Sequence, residues 1–158
     1  MVQLQAALLA FGANLPFADL MPIQTLHLAI TSFPNVNLPL PQVSRFFATP
    51  CFPAGDGPDY VNAAAILQVA KDMSPTELLS RLHKIEANFG RQRTQRWGMR
   101  TLDIDLLALG DAVLPDAATQ TRWRNLDPRL QATQTPTDLI LPHPRMQDRA
   151  FVLVPLAD

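Results

Sequence analysis

The apolar positions of this chain change their spacing several times, and each change marks an element. Leu4 to Phe11 is a short apolar run that Gly12-Ala13-Asn14 breaks, which predicts a buried first strand ending in a loop. From about Phe17 to Ser32, Leu20, Ile23, Leu26, His27 and Ile30 recur at helical spacing and predict an amphipathic helix. Phe33 to Pro41 is rich in proline and asparagine and reads as a loop. Val43 to Ala48 predicts a second strand, Thr49 to Pro58 a loop, and Tyr60 to Val69 a third strand. Ser74-Pro75-Thr76-Glu77 is a helix start, with Ser as N-cap, Pro at the first position and Glu three residues after the cap. That helix runs through Leu78, Leu79, Leu82, Ile85 and Phe89 and stops at Gly90. Arg91 to Gly98 is polar without a period, so a mobile loop is expected. A fourth strand spans Thr101 to Leu109, where Gly110-Asp111 allows a turn into a short partner at Ala112 to Leu114. Pro115 to Pro136 has little pattern beyond a possible helix near Asp127 to Gln131. Leu139 to Pro142 and Phe151 to Leu156 read as short extended pieces.

The order β-α-β-β-α-β predicts an α+β fold with a ferredoxin-like core, a mostly antiparallel sheet with helices packed on its faces. Residues 1–158 are expected to form a single domain with a mobile catalytic loop around 90–100. The 47% hydrophobic and 17% charged composition fits a compact globule. A net charge of −1 argues against a basic field for nucleic acid or an acidic membrane, and no apolar run is long enough to cross a bilayer. Cys51 is the single cysteine, which excludes an internal disulfide and fits a reducing compartment. The amino terminus lacks signal-peptide features, so the cytoplasm is the expected location. His27, His83 and His143 are too scattered for zinc spacing.

Charge distribution is more telling than charge. Arg91, Arg93, Arg96 and Arg100 fall within ten residues, whereas Lys71 and Lys84 are the chain's only lysines. This bias toward arginine leans toward anion binding, because the planar guanidinium suits phosphate. Directly after the cluster, Leu102, Ile104 and Leu106 alternate with Thr101, Asp103 and Asp105. On a strand both aspartates then leave by one face and the apolar residues by the other. Two adjacent carboxylates repel, and a hard divalent cation ligated by oxygen relieves that repulsion. Arginines beside such a metal imply phosphoryl or pyrophosphoryl transfer from a Mg-bound nucleotide. The bland alternative is an edge strand with a solvated acidic face.

Arg96-Trp97-Gly98-Met99-Arg100-Thr101-Leu102-Asp103-Ile104-Asp105 resembles the signature of the 6-hydroxymethyl-7,8-dihydropterin pyrophosphokinase family of folate biosynthesis. Phe11-Gly12-Ala13-Asn14-Leu15 is similar to the loop that follows the family's first strand. The stretch Val43 to Pro50 with Pro58 to Ala64 resembles its pterin-binding segment, and Leu141-Pro142-His143-Pro144 with Arg149-Ala150-Phe151 its last elements. The resemblance implies transfer of the β,γ-diphosphate of ATP to the pterin's hydroxymethyl oxygen, with release of AMP. It implies two Mg²⁺ ions held by Asp103 and Asp105, and Arg91 and Arg100 engaging the triphosphate. Arg93, Arg96, His143, Arg149 and, on the helix, His83 fall on the nucleotide side by the same likeness, as does Leu106. Tyr60 and Phe151 would sandwich the pterin, Asn62 would read its edge, Thr49, Pro50 and Phe52 would wall it, and Trp97 would close over both substrates.

Small-molecule partners and a monomeric protein are expected. The runner-up is a catalytically weak pterin- or nucleotide-binding paralogue of the same fold. The metal-ligand pair argues against it, since pterin binding alone needs no such pair. A ferredoxin-like interaction module is a distant third, because it leaves Tyr60, Asn62 and Phe151 unexplained together.

Overall fold

The computed structural model of the chain describes residues 2–51, 55, 57–90 and 100–158. The expected loop at 91–98 therefore lies outside the described residues. The central strand β1, Leu4–Ala13, pairs antiparallel with β4, Tyr60–Ala70, on one side and with β5, Asp103–Leu109, on the other. Two short strands, β2 (Gln42–Val43) and β3 (Phe47–Thr49), pair along the far edge of β4. They replace the continuous strand expected over Val43 to Ala48. Between them the Ser44 N–H donates to the Ala64 carbonyl (2.9 Å) and the Ser44 hydroxyl accepts from the Ala64 N–H (3.0 Å). The ladder is thus continued by a side chain where the backbone breaks. Counting β2 and β3 as one interrupted strand, the order β-α-β-β-α-β and the antiparallel sheet are the ferredoxin-like α+β arrangement.

Alternation in the strands divides the molecule. Ala7, Leu9, Phe11 and Ala13 of β1, Ala63, Ala65, Leu67 and Val69 of β4, and Ile104 and Leu106 of β5 enter the main core. That core is closed by α1, Pro22–Thr31, through Leu26 and Ala29, and by α2, Pro75–Asn88, through Leu78, Leu82 and Ile85. The opposite face carries a smaller apolar cluster of Ala10, Leu107 and Val152. Its cover is α5, Ala150–Leu156, which packs on β4 and β3.

The helix α2 begins and ends as the sequence predicts. The Ser74 hydroxyl accepts from the Glu77 N–H (3.1 Å), Pro75 takes the first position, and Gly90 turns the chain away with φ +76°. The helix α1 starts later than Phe17. Phe17 and Leu20 exchange two backbone hydrogen bonds (3.0 and 2.9 Å) around Ala18 in a left-handed conformation, so a tight turn occupies those residues.

Two further expectations fail. Phe151 to Leu156 is helical rather than extended, because Val152 and Pro155, three apart, are the residues it buries. A short apolar run carries no period of its own, and tertiary burial decides it. Ala112 to Leu114 forms no strand; Leu114 makes a single bridge to Leu141, which is also all that the expected piece at 139–142 contributes. Between them lies an unforeseen helix, α3 (Ala117–Arg124), started by the Asp116 carboxylate accepting from the Thr119 N–H (2.8 Å). Its weak amphipathicity hid it from periodicity. The short helix α4, Pro128–Thr133, falls near its expected place. No helix among the described residues is long and apolar enough to cross a membrane.

One polar residue holds the outer edge of β5. Glu86 of α2 is 1% exposed, and its Oε1 accepts from the Ile104 N–H at 2.7 Å. Glu86→Leu is expected to cost about 1–3 kcal/mol by leaving that buried N–H unpaired, and Glu86→Gln, which keeps an oxygen, distinctly less. Denaturant midpoints of the two variants check this; equal midpoints would mean the bond contributes nothing.

Candidate active site

The face of the sheet away from α1 and α2 collects most of the described residues singled out in the sequence. Gly12 of β1 stands opposite Asn62 of β4 and, on its other side, opposite Asp103 of β5. One row across three strands therefore reads Asn62, Gly12, Asp103. The next row reads Ala64, Ala10, Asp105. Both aspartates share this face because Ile104 between them enters the core. Leu106 points the same way as Ile104 and is buried in the core.

Gly12 has a specific reason to be glycine. A Cβ there would sit 2.9 Å from Asn62 Oδ1 and 3.8 Å from the Tyr60 ring. Its absence lets the Asn62 side chain lie over β1, where it is 4% exposed and donates through Nδ2 to Thr49 Oγ1 at 2.6 Å. Thr49 is the register partner of Tyr60, so the strand end β3 and the start of β4 bring Thr49, Tyr60 and Asn62 together. Pro50 follows Thr49 at the exposed end of β3. Partial burial holds the Tyr60 hydroxyl above the usual phenol range, with Arg100 opposing and Cys51 and Asp103 adding to the rise.

Each aspartate faces an arginine. Arg100 is ion-paired with Asp103, and the Arg149 guanidinium lies 3.6 Å from Asp105. Burial alone would lower the Arg100 pKa, but Asp103 and Asp105 together raise it. Arg149 begins the turn into α5, and its guanidinium also stands 5.7 Å from the Phe151 ring, whose side chain is exposed. The helix α5 therefore matters at the site: Arg149 stands at its start beside Asp105, and Phe151 in its first turn lies beside Arg149.

His143 reaches the site through an indirect chain. Its N–H donates to the Leu107 carbonyl of β5 at 2.7 Å, and Gln120 of α3 holds the neighbouring Pro142 carbonyl at 3.1 Å. Its Nδ1 accepts from the Arg145 N–H at 3.2 Å, which leaves Nε2 to carry the proton of the neutral ring. Burial pushes its pKa down to about 4, with Arg149 and Arg145 adding to the fall and Asp103 opposing. His83 lies elsewhere, half-buried in α2 one turn before Glu86. Phe52, Arg91, Arg93, Arg96 and Trp97 lie outside the described residues, so the structure does not place them.

The sequence reading missed three contributors. Gly12 reads as the start of a loop from sequence, whereas it is a strand residue that admits Asn62. Asn14, 1% exposed, bonds to Arg100 and Pro58. Glu86 interrupts the apolar stripe Leu78, Leu82, Ile85, Phe89, and an acid in such a stripe was the available signal. No group of three or more His, Cys, Asp or Glu side chains that could hold a metal ion converges among the described residues. A groove of about 580 Å³ between Asn35–Asn37 and the start of α2 is lined by other residues.

From residue 8 to 158 the chain matches the family described as 7,8-dihydro-6-hydroxymethylpterin-pyrophosphokinase. It is 34% identical over 151 residues to the 2-amino-4-hydroxy-6-hydroxymethyldihydropteridine pyrophosphokinase of Haemophilus influenzae, which spans 95% of this chain and 78% of that relative. Identity to the protein of the same name from Pseudomonas aeruginosa is 34% over 156 residues, 98% of this chain and 80% of the other. The Synechocystis protein of that name is 44% identical over a shorter stretch of 101 residues, 64% of this chain and 40% of its own length.

The His143 environment has a consequence for stability. An unfolded histidine titrates near 6.5, and the folded one near 4. Between those values the unfolded chain binds a proton that the folded chain refuses, so stability falls as the pH drops through this window. The ligand-free protein is expected to lose about 2 kcal/mol more than His143→Gln between pH 7 and pH 5, read by urea unfolding. Parallel pH profiles for the two proteins would rule this out.

Proposed function

The chain belongs to the 7,8-dihydro-6-hydroxymethylpterin-pyrophosphokinase family, and from that premise we infer its reaction. It is an ATP-dependent enzyme of folate biosynthesis that transfers the β,γ-diphosphate of ATP to the hydroxymethyl group of 6-hydroxymethyl-7,8-dihydropterin, releasing AMP. Nothing in the comparisons favours a binding-only paralogue. The row Asn62, Gly12, Asp103 is the observation that best supports this reading within the chain's own geometry. It sets an amide able to read a heterocycle's edge two strands from a carboxylate able to hold a metal beside phosphate.

On the pterin side, Asn62 is held by Thr49 and supplies the edge contact. Tyr60 and the exposed ring of Phe151 supply stacking surfaces. On the phosphate side, Arg100 and Arg149 already stand beside the aspartates, so each guanidinium needs only a short excursion to reach a phosphate oxygen. Neutral His143 would donate from Nε2 to phosphate without adding charge. Arg91, Arg93, Arg96, Trp97 and Phe52 join these roles by family likeness, as does His83 toward the base.

Two carboxylates on alternate positions of one strand fit Mg²⁺, which takes one or two protein carboxylates and completes its shell from phosphate and water. Asp103 and Asp105 would hold two such ions, whose charge would offset the negative charge that builds on the phosphates during transfer. The aspartates' present arginine partners fit the same picture, because a cation and a guanidinium compensate the same charge. Positioning and electrostatics suffice for this chemistry, so no covalent enzyme intermediate is required. We propose further that residues 1–158 act as one domain, as a monomer, in the cytoplasm.

The decisive assay follows AMP release from Mg-ATP with and without the pterin. Pterin-dependent AMP that vanishes on chelation is the expected result; a folded protein that makes none would favour the binding-only reading. Asp105→Ala is expected to abolish turnover while moving the melting temperature by no more than about 4 °C, since it truncates a partly exposed side chain. Normal activity in that variant would sink the metal assignment. Gly12→Ala is expected to raise the pterin KM roughly 10-fold with little change for ATP, because its methyl displaces the Asn62 amide. An unchanged pterin KM would mean that Asn62 does not read the substrate.

A further inference from the structure

Asn14 joins the two halves of this site. It follows directly on β1 and is 1% exposed. Its N–H donates to the Arg100 carbonyl at 3.0 Å, and its Oδ1 accepts from the Arg100 N–H at 3.0 Å. These bonds close a ring that locks residue 100 to the end of the central strand, and the Leu15 N–H donates a second bond to the same carbonyl at 3.2 Å. The Asn14 Nδ2 donates in the other direction, to the Pro58 carbonyl at 3.1 Å. Pro58 lies just before Tyr60 in the chain, and Arg100 just before Asp103.

A single buried amide therefore spans the start of the pterin-side strand and the start of the phosphate-side strand. Asparagine suits the place because its short side chain is a donor and an acceptor at once. An aspartate keeps the acceptor and loses the donor; an alanine loses both.

We propose that Asn14 is a positioning residue that couples the pterin half of the site to the phosphate half, a role that rests on the functional reading above. Any movement of the Arg100 backbone as its guanidinium turns from Asp103 to phosphate is passed through the amide to Pro58 and so to Tyr60. Occupancy of one half then prepares the other. Such coupling is reciprocal, so the nucleotide must tighten the pterin by the factor with which the pterin tightens the nucleotide.

The test uses the full chain, a non-hydrolysable ATP analogue with Mg²⁺, and the pterin. In the native protein the analogue is expected to tighten pterin binding by roughly 5-fold or more, the lower end of ordinary coupling. Asn14→Asp is expected to bring that ratio close to one and to lower kcat by roughly 10- to 100-fold, the scale of a small misplacement. Pterin affinity measured alone would stay near native, which a general loss of structure would not permit. A native ratio of one, or native coupling in Asn14→Asp, overturns the proposal. A native chain that binds neither compound is a failure of the functional reading instead. The role of Asn14 is then decided without ligands by amide NMR: Asn14→Asp is expected to shift both Tyr60 and Asp103 while leaving α1 in place. A shift on one side alone overturns it, and Asn14→Ala serves as the second variant in the same measurement.

Discussion

The register of β1 between β4 and β5 is the constraint on which the rest of the molecule depends. Its odd positions, Ala7 to Ala13, supply the middle of the core, and its even positions form the floor of the site. Strand side chains alternate with a period of two, so a slip of one residue in either pairing would exchange the two sets. Asp103 and Asp105 would enter an apolar core while Ile104 and Leu106 met solvent. The penalty for burying two carboxylates is far larger than any single contact at the site, so the apolar core fixes the geometry of the polar face. The site gains its precision from packing that lies on the other side of the sheet.

Among the described residues, each aspartate of that polar face has an arginine beside it. Arg100 and Asp103, and Arg149 and Asp105, sit as neighbouring opposite charges in a partly buried setting. An isolated carboxylate pair there would repel, and an isolated pair of arginines would be costly to desolvate. Under the proposed function the same proximity would serve a substrate that brings both cation and phosphates, since each protein charge would then find a counterpart of the correct sign. His143 adds a donor with no charge, because burial disfavours its protonated form and two neighbouring arginines add to that effect.

Irregular parts of the chain do the positioning that a sheet face cannot. Pro142 is held by Gln120 and the His143 N–H by Leu107, so a poorly patterned stretch delivers the imidazole to the edge of β5. The short helix α5 covers the small apolar cluster with Val152 and in doing so carries Phe151 and Arg149 to the site. Asn14 ties the end of β1 to Arg100, and Glu86 secures the outer edge of β5, which carries Asp103 and Asp105. Each of these is a polar side chain completing backbone hydrogen bonds where regular pairing stops, which buried backbone groups require.

By itself the sequence determined the strand bearing Asp103 and Asp105, the capped helix from Ser74 to Gly90, the α+β order and, through its motifs, the family. These are local statements: an alternation, a cap or a motif is read from residues within about one element of each other. Tertiary structure alone decided that Gly12 yields its space to Asn62, that Phe151 to Leu156 coils rather than extends, and that Asn14 clasps Arg100. Those partners stand 50, 86 and more residues apart, or depend on an apolar surface contributed by other strands. Local spacing carries no record of a neighbour that arrives only when the sheet closes, so such contacts become legible only in the folded chain.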